Sequence, residues 1–221
     1  MVVEIGPGRG ALTGHLLRHA KRVVAIEVDP VLVQYLNAKF RGEARLEIVD
    51  GDVLKSDFAR WRPAAIAGNL PYYITSPIIE KVLAVQPPVQ RAVFLVQKEV
   101  AQRLAASSGT RDYGYLTVAT QFLAEVELLF MVAPGSFRPR PKVESAVVRL
   151  TPRAAPLADD SAGFLQFASA CFRQKRKTLR NNLSGHYPRE VVDALPEAGL
   201  RAEQLPVQEL LGLYRRLMDC M

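Results

Sequence analysis

Short apolar runs alternate with helical segments along the first half of the chain, and this alternation constrains the fold most strongly. Val2–Ile5 reads as a buried strand, a glycine-rich turn follows it, and the leucines of Ala11–Ala20 have helical spacing. Four further strands are predicted, at residues 23–26, 46–49, 64–68 and 92–96. Because such alternation produces a parallel α/β sheet, we predict a Rossmann-like fold whose ligands bind at the carboxyl ends of the strands.

A change in composition predicts a second, smaller domain at the carboxyl-terminal end. Residues 126–132 and 145–150 read as a final antiparallel pair of strands, and a proline-containing linker follows at 151–162. Beyond this linker the chain reads as helical. The apolar residues between Val207 and Met218 have the spacing of a helix that faces a core. We therefore predict two domains, at residues 1–152 and 161–221.

Composition narrows the possible compartments and cofactors. The chain has 221 residues, of which 49% are hydrophobic, so it can bury a core. Cys171 and Cys220 are far apart and lack metal-ligand spacing, as do the three histidines, so we expect reduced cytoplasmic thiols and no bound metal. No apolar run reaches about 20 residues, the length that spans a bilayer, and no signal peptide is visible.

The charge of the chain favours a polyanionic partner. Its net charge is +7, and many of the basic residues fall in two stretches, at residues 134–153 and 173–180. A charged run is most often a solvated surface, but two such runs beside a candidate catalytic pocket favour nucleic acid. The predicted RNA contacts are Arg138, Arg140, Lys142, Arg173, Lys175, Arg176, Lys177 and Arg180.

The glycine-rich turn after the first strand is predicted to bind a nucleoside cofactor. Gly6 and Gly8 allow the backbone to approach a ligand closely, and the helix that begins near Gly10 adds a positive dipole end. The spacing from Gly6 to Ala11, with Glu27 further on, also satisfies the dinucleotide fingerprint. The turn alone therefore does not separate a nicotinamide enzyme from a methyltransferase.

Two acidic residues after the next strands extend this prediction. Glu27 ends the second strand, where a carboxylate can accept hydrogen bonds from both ribose hydroxyls. Asp52 follows the third strand and can accept from an adenine amino group, and Val53 beside it is assigned to the same site. Each acid also has an ordinary interpretation, Glu27 as a surface carboxylate and Asp52 as a turn residue.

The segment Asn69-Leu70-Pro71-Tyr72, at the end of the fourth strand, carries the predicted chemistry. An adenine amino nitrogen is a poor nucleophile because its lone pair is delocalised into the ring. The Asn69 side-chain oxygen and the Leu70 carbonyl can accept hydrogen bonds from its two N–H groups and free that lone pair. Pro71 restricts Leu70 to an extended conformation, and Tyr72 offers a face on which a flipped base can stack. The pattern therefore predicts methyl transfer to an adenine amino group.

Phe137 lies in a loop that is rich in proline and basic residues, and it can cover the other face of the same base. Its neighbours Arg138, Arg140 and Lys142 are then placed to contact phosphate. A core phenylalanine beside a proline-rich loop is the simpler alternative for this position.

Five ordered motifs resemble the ribosomal RNA adenine dimethyltransferases, and the bacterial small-subunit type is the most similar. The resemblance covers nearly the whole chain. The motifs are Val3-Glu4-Ile5-Gly6-Pro7-Gly8, Asn69-Leu70-Pro71-Tyr72, Val96-Gln97-Lys98-Glu99-Val100-Ala101, Phe137-x-Pro139-x-Pro141-Lys142-Val143 and Arg176-Lys177-Thr178-Leu179-Arg180-Asn181-Asn182-Leu183.

The resemblance implies a seven-stranded class I methyltransferase sheet with a small helical domain and S-adenosylmethionine as cofactor. The implied reaction puts two methyl groups on each of two adjacent adenosines in the 3′-terminal hairpin loop of small-subunit (16S) rRNA. The implied partner is the assembling 30S subunit, and we expect a monomer. By matching positions, the cofactor contacts are Gly6, Glu27, Asp52 and Asn69, and the adenine contacts are Asn69, Leu70, Tyr72 and Phe137.

One departure from the family pattern concerns the amino terminus. Family members carry a further segment before the first strand, including Gln-Asn-Phe-Leu, that helps to enclose the cofactor and the adenosine. This chain begins inside the first strand. We therefore expect lower affinity and activity from a chain of this length.

Three alternatives remain open from the sequence. The first is a related enzyme that methylates large-subunit rRNA, against which the segment from Arg176 to Leu183 and the Phe137 loop argue. The second is an assembly factor that binds rRNA without catalysis, which the short amino terminus favours. The third, a nicotinamide dehydrogenase, explains neither the segment from Asn69 to Tyr72 nor the basic stretches.

Overall fold

The computed structural model describes residues 1–138 and 140–220, and these form a seven-stranded sheet with helices. The strand order across the sheet is β3-β2-β1-β4-β5-β7-β6. Every strand predicted from the sequence is present, with its ends within two residues of the prediction. The strands are β1 Val2–Ile5, β2 Val23–Glu27, β3 Leu46–Asp50, β4 Ala65–Asn69, β5 Arg91–Gln97, β6 Ala124–Val132 and β7 Ser145–Pro152.

The helices of the described residues divide between the sheet and a separate helical part. Short 3₁₀ turns at residues 58–60, 72–74, 134–136, 196–199 and 202–204 supplement them. None of these helices is both long and apolar enough to cross a membrane. The helices are α1 Ala11–His19, α2 Pro30–Lys39, α3 Thr75–Leu83, α4 Lys98–Leu104, α5 Tyr115–Leu123, α6 Ser161–Cys171, α7 Leu179–Leu183, α8 Arg189–Asp193 and α9 Val207–Asp219.

One strand of the sheet, β7, runs opposite to all the others. The first five strands are parallel, and β7 then runs antiparallel to both β5 and β6. Every residue of β2 is buried, as expected for a central parallel strand that is covered on both faces. The sheet and the helical part confirm the predicted fold class, a Rossmann-like methyltransferase sheet followed by a small all-helical unit.

The chain separates into two compact units whose boundary differs from the predicted division at residues 152 and 161. The sheet unit contains Met1–Ala101 and Ala124–Arg153, and the helical unit contains Gln102–Leu123 and the described residues from Ala154 onward. The segment Gln102–Leu123 groups with the helices because its own side chains pack among them.

Two contacts hold that segment in the helical unit. The ring centroids of Phe122 and Phe164 are 4.4 Å apart, and the Tyr113 hydroxyl donates to the Leu205 carbonyl at 2.9 Å. The core of this unit also contains most of the apolar positions predicted for the last helix. The exception is Met218, which was predicted to be buried and is 37% exposed.

Candidate active site

The strand register brings the predicted cofactor residues to one edge of the sheet. Ile5 of β1 is in register with Ile26 of β2 and with Gly68 of β4. The residues that follow these three therefore reach the same carboxyl edge, where open α/β sheets bind ligands. They are Gly6, Glu27 and Asn69.

The glycine-rich turn has a backbone conformation that favours glycine. The φ angles of Gly6 and Gly8 are +64° and +58°, in the left-handed region that costs other residues free energy. The Gly6 N–H donates to the Ile26 carbonyl at 3.0 Å, which fixes the turn against β2. A Cβ atom built on Gly8 would meet nothing within 4 Å, so the space beside this backbone is open. The turn can therefore admit a ligand close to its peptide groups.

Glu27 is a buried carboxylate that three backbone groups orient. Its Oε2 accepts from the Gly8 N–H at 3.0 Å, and its Oε1 accepts from the N–H groups of Val28 and Asp29 at 3.0 and 3.1 Å. The alternative interpretation as a surface acid is therefore wrong, since the residue is 7% exposed. Because a carboxylate has about four lone-pair positions, it retains capacity for a further donor.

Asp52 and Val53 lie in the turn after β3. The Asp52 Oδ1 accepts from the Leu54 N–H at 2.8 Å, which is the turn chemistry that the sequence offered as an alternative. The Gly51 N–H donates to the Glu27 carbonyl at 2.9 Å, so this turn is attached to the end of β2. Val53 is buried. The turn thus carries an apolar and an acidic side chain beside Glu27.

Glu4 is a buried acid beneath the glycine-rich turn, and no role for it was predicted from the sequence. It is 1% exposed and accepts a hydrogen bond from the Thr13 hydroxyl of α1 at 2.6 Å. Burial raises the pKa of Glu4 to about 7, although the bond from Thr13 partly opposes this rise and the negative charge of Glu27 adds to it. Glu4 thus fastens α1 to β1 directly below the site.

The segment from Asn69 to Tyr72 leaves β4 in a fixed conformation. The Leu70 N–H donates to the Leu95 carbonyl of β5 at 3.0 Å, and the Leu70 side chain is buried. The Pro71 carbonyl accepts from the Thr75 hydroxyl at 3.1 Å. In residues 1–138 and 140–220, no hydrogen bond occupies the Asn69 side-chain oxygen or the Leu70 carbonyl oxygen. Both acceptors are therefore available to a ligand.

A cavity of about 340 Å³ gathers all five residues that were predicted to be catalytic. Its volume lies in the range of small-molecule sites. The wall has amide, aromatic, proline and guanidinium groups, so it combines flat apolar surfaces with a few polar ones. The lining residues are Asn69, Leu70, Pro71, Tyr72, Phe137, Arg138 and Pro141.

The two aromatic residues of this cavity have different supports. Tyr72 is 37% exposed, and its hydroxyl lies 3.2 Å from the hydroxyl of Ser145, which is completely buried. Phe137 is half-buried, and its N–H donates to the Pro134 carbonyl at 3.3 Å. Both rings are partly accessible, so the alternative in which Phe137 belongs to the core is wrong.

The first basic stretch lies partly at this cavity. Arg138 lines it, and Arg140 and Lys142 are exposed beside it in the chain. Pro139, which belongs to the same motif, lies outside the described residues. Arg149 and Arg153 of this stretch pair with Glu127 and Glu125 on the neighbouring strand. Within the described part of the chain, only Arg138, Arg140 and Lys142 of this stretch therefore present positive charge outside an ion pair.

The second basic stretch lies in the helical unit, and acidic residues partly neutralise it. The Lys175 ammonium group donates to the Arg111 carbonyl, and its Nζ lies 3.8 Å from Oε2 of Glu203. The Nε of Arg180 lies 2.6 Å from Oδ1 of Asp193. The remaining three side chains of the stretch are exposed and have no ion-pair partner among the residues that the structure describes. They are Arg173, Arg176 and Lys177.

Asn182 holds the loop that presents these three residues, a role that was not predicted from the sequence. Its buried side-chain amide donates to the carbonyls of Cys171 and Gln174 at 2.7 and 3.1 Å. Its oxygen accepts from the Gln174 N–H at 3.1 Å. Nothing in the sequence marks this role, because the burial of Asn182 and its backbone partners are visible only in the fold.

Comparison with known proteins gives a consistent family. A family model described as ribosomal RNA adenine dimethylase matches residues 1–219. A relative named ribosomal RNA small subunit methyltransferase A, from Chlorobium chlorochromatii, is 43% identical over 217 residues, which cover 96% of this chain and 81% of the relative. The relative of the same name from Geobacillus thermodenitrificans is 42% identical over 236 residues, with 98% of this chain and 80% of the relative covered.

Solved structures agree with this result. A dimethyladenosine transferase from Plasmodium falciparum superposes with a TM-score of 0.84 at 29% identity, covering 96% of this chain and 87% of that chain. The 23S rRNA methyltransferase ErmE superposes with a TM-score of 0.72 at 33% identity, covering 98% of this chain and 90% of that chain. The family match, the sheet topology and the gathered cavity lead to one conclusion: the chain belongs to the ribosomal RNA adenine dimethylase family.

Proposed function

We propose that the chain uses S-adenosylmethionine to dimethylate the N6 amino groups of two adjacent adenosines in the 3′-terminal hairpin loop of small-subunit rRNA. We further propose that it acts as a cytoplasmic monomer on the assembling 30S subunit. The observation that supports the reaction best is the cavity in which Asn69, Leu70, Tyr72 and Phe137 meet. The small-subunit names of the relatives with 41–43% identity support the choice of substrate.

Two acceptors at the cavity suit an exocyclic amine. The Asn69 side-chain oxygen and the Leu70 carbonyl can each accept one N–H bond of the adenine amino group. Such acceptors favour a tetrahedral nitrogen, and the lone pair then points away from the ring system. Since Leu70 is fixed by its bond to Leu95, its carbonyl needs little reorganisation when the amine arrives.

The two aromatic rings suit a base that has left its stack. An extruded base loses stacking energy, and aromatic faces can restore about 1–3 kcal/mol of it. Tyr72 and Phe137 line the same cavity, whose volume of about 340 Å³ is of the right order for a nucleobase with its ribose. No strong base is required at the site, because the nitrogen is cationic after alkylation and loses its proton readily.

The carboxyl edge of the sheet suits the cofactor. S-adenosylmethionine, when bound, supplies an electrophilic methyl group on a sulfonium centre. The open space at Gly8 and the oriented carboxylate of Glu27 fit a nucleoside with two ribose hydroxyls. Asp52 and Val53 would hold the adenine of that nucleoside, Asp52 through its carboxylate and Val53 through apolar contact. Asn69 lies at this edge and also lines the cavity.

Basic side chains at both units would hold the RNA. Arg138, Arg140 and Lys142 would contact phosphates close to the target base. Arg173, Arg176 and Lys177 would do so in the helical unit, where they are exposed. Lys175 and Arg180 remain proposed contacts of smaller effect, because each would have to leave an acidic partner to bind phosphate.

Transfer of labelled methyl groups to undermethylated small ribosomal subunits tests the proposal. We expect incorporation into small-subunit rRNA and little into protein-free large-subunit rRNA. Preferential labelling of large-subunit rRNA would support a second candidate function, methylation of large-subunit rRNA. The similarity to the 23S rRNA methyltransferase ErmE is the observation that favours this candidate. Tight RNA binding with no detectable binding of S-adenosylmethionine would support a non-catalytic assembly factor instead.

A further inference from the structure

Ser145 carries a buried hydroxyl that contacts Tyr72, a residue of the cavity, and the proposed reaction gives it no role. It begins β7, has no exposed surface, and lies 3.2 Å from the hydroxyl of Tyr72. The two residues are 73 positions apart in the sequence, so only the fold brings them together. A buried hydroxyl without a partner is unfavourable, which makes this pairing a strong local restraint.

The backbone around Ser145 is held on both sides. Ser145 is in register with Gln97 of β5 and with Val132 of β6. The Lys98 N–H donates to the carbonyl of Glu144 at 3.0 Å, and the side chains of Lys98 and Glu144 form an ion pair. The hydroxyl of Ser145 therefore belongs to a rigid part of the sheet.

The Tyr72 ring depends on this contact more than on its own backbone. Tyr72 begins a 3₁₀ turn of three residues, and its side chain is 37% exposed. A partly exposed ring can change its rotamer unless a second point fixes it. The hydroxyl at the far end of the ring provides that point, because its partner Ser145 is buried in a strand that pairs on both sides.

We infer that Ser145 is a positioning residue that fixes the Tyr72 ring in the orientation against which the target adenine stacks. This inference rests on the proposed function, in which Tyr72 contacts the base. Stacked aromatic pairs prefer defined offsets, and small displacements of a bound group reduce reaction rates strongly. Ser145 acts through Tyr72 and does not touch the base.

A double-mutant cycle tests this inference with two readouts. The variants are Ser145→Ala, Tyr72→Phe and their combination. The first readout is the fluorescence of 2-aminopurine placed at the target position of an RNA hairpin, which reports stacking without any methyl transfer. The second readout is the change in kcat and, separately, the change in KM for methyl transfer to small subunits. Tyr73→Phe and Ser136→Ala are matched controls, since both residues are exposed.

Each single variant should weaken the stacking signal and kcat by about threefold to tenfold, the usual range for one neutral hydrogen bond. KM for the subunit should change little, because most RNA contacts lie elsewhere. The combined variant should lose no more stacking signal and no more kcat than the more impaired of the two single variants. The reason is that both changes remove the same hydrogen bond. The controls should match the wild-type chain.

Additive losses, or a Ser145→Ala variant with unchanged fluorescence and kcat, would overturn the inference. Thermal melting of each variant accompanies the cycle, because a purely structural role would lower Tm without altering the stacking of a bound base. If the wild-type chain quenches 2-aminopurine but transfers no methyl group, the proposed function fails while the fluorescence cycle still decides the role of Ser145. If the wild-type chain transfers methyl groups but gives no fluorescence change, the inference about Ser145 fails while the proposed function stands.

Discussion

Replacement of Glu4 by glutamine should stabilise the protein at neutral and alkaline pH. Glu4 is buried under the glycine-rich turn, where an ionised carboxylate is poorly solvated. Glutamine has nearly the same shape, is uncharged, and can still accept the hydrogen bond from Thr13. The Glu4→Gln substitution therefore removes the cost of ionisation and keeps the contact between β1 and α1.

The magnitude follows from the pKa of Glu4, which burial raises from 4.5 to about 7. Because the folded-state pKa lies above the unfolded one, the stabilisation from this group is fully present below about pH 4.5. It is lost as the pH rises through about 7. A shift of this size corresponds to about 3 kcal/mol at 1.36 kcal/mol per pH unit. The variant should thus exceed the wild-type chain by up to about 3 kcal/mol at pH 8 and match it near pH 4.

Urea unfolding of both chains at pH 4, 6 and 8 measures this difference. The gap in unfolding free energy should open between pH 4.5 and 7, where Glu4 is ionised in the unfolded state but still protonated in the folded state. Glu99→Gln is the matched control, because it makes the same chemical change at an exposed position. A Glu4→Gln variant that is less stable at pH 8, or whose gap does not change with pH, would refute the reasoning.

Three further substitutions test the site, the RNA surface and the sheet. Asn69→Ala should reduce methyl transfer by at least about 100-fold, the usual loss for one oriented electrostatic group, with RNA affinity retained. Arg176→Glu with Lys177→Glu should weaken RNA binding and lower the salt slope by about two, as filter binding across salt concentrations would measure. Gly68→Ala should destabilise the fold by about 1–3 kcal/mol in urea, since its Cβ would lie 2.5 Å from the Ile5 carbonyl oxygen.

Each of these three has a control and a contrary outcome. Asn181→Ala, an exposed asparagine, should retain methyl transfer, and normal turnover by Asn69→Ala would remove the amine-acceptor mechanism. Lys21→Glu with Arg41→Glu makes the same charge change in the sheet unit. Equal losses from both charge reversals would mean that only net charge matters. Gly114→Ala has open space at its Cβ, so an equal loss there would contradict the steric argument.

The sheet was predictable because its strands are short apolar runs that helices separate. Helix α5 was not predicted, because its sequence contains the β-branched residues Thr117, Val118 and Thr120, which disfavour helices locally. Packing in the helical unit overrides that preference, and all three side chains are buried. Local sequence therefore specified the parallel sheet better than it specified the boundary between the two units.

The candidate site was predictable where single residues end strands, as Glu27 and Asn69 do. It was not predictable where a partner lies far along the chain. The burial of Glu4 agrees with the prediction that Val2–Ile5 is a buried strand, but its hydrogen bond with Thr13 was not predicted, because Thr13 lies in the following helix. The contact of Ser145 with Tyr72 was not predicted either, because the two residues are 73 positions apart in the sequence.

The measurement that tests the central claim most directly is mass spectrometry of nucleosides from small-subunit rRNA after incubation with S-adenosylmethionine and the chain. The cavity at Asn69 and Tyr72 predicts N6,N6-dimethyladenosine with the wild-type chain and none with Asn69→Ala. A methylated product at another base or another atom of adenine would contradict the account. Equal yields of dimethyladenosine from the two chains would also contradict it, because the amine would then not depend on the Asn69 side chain.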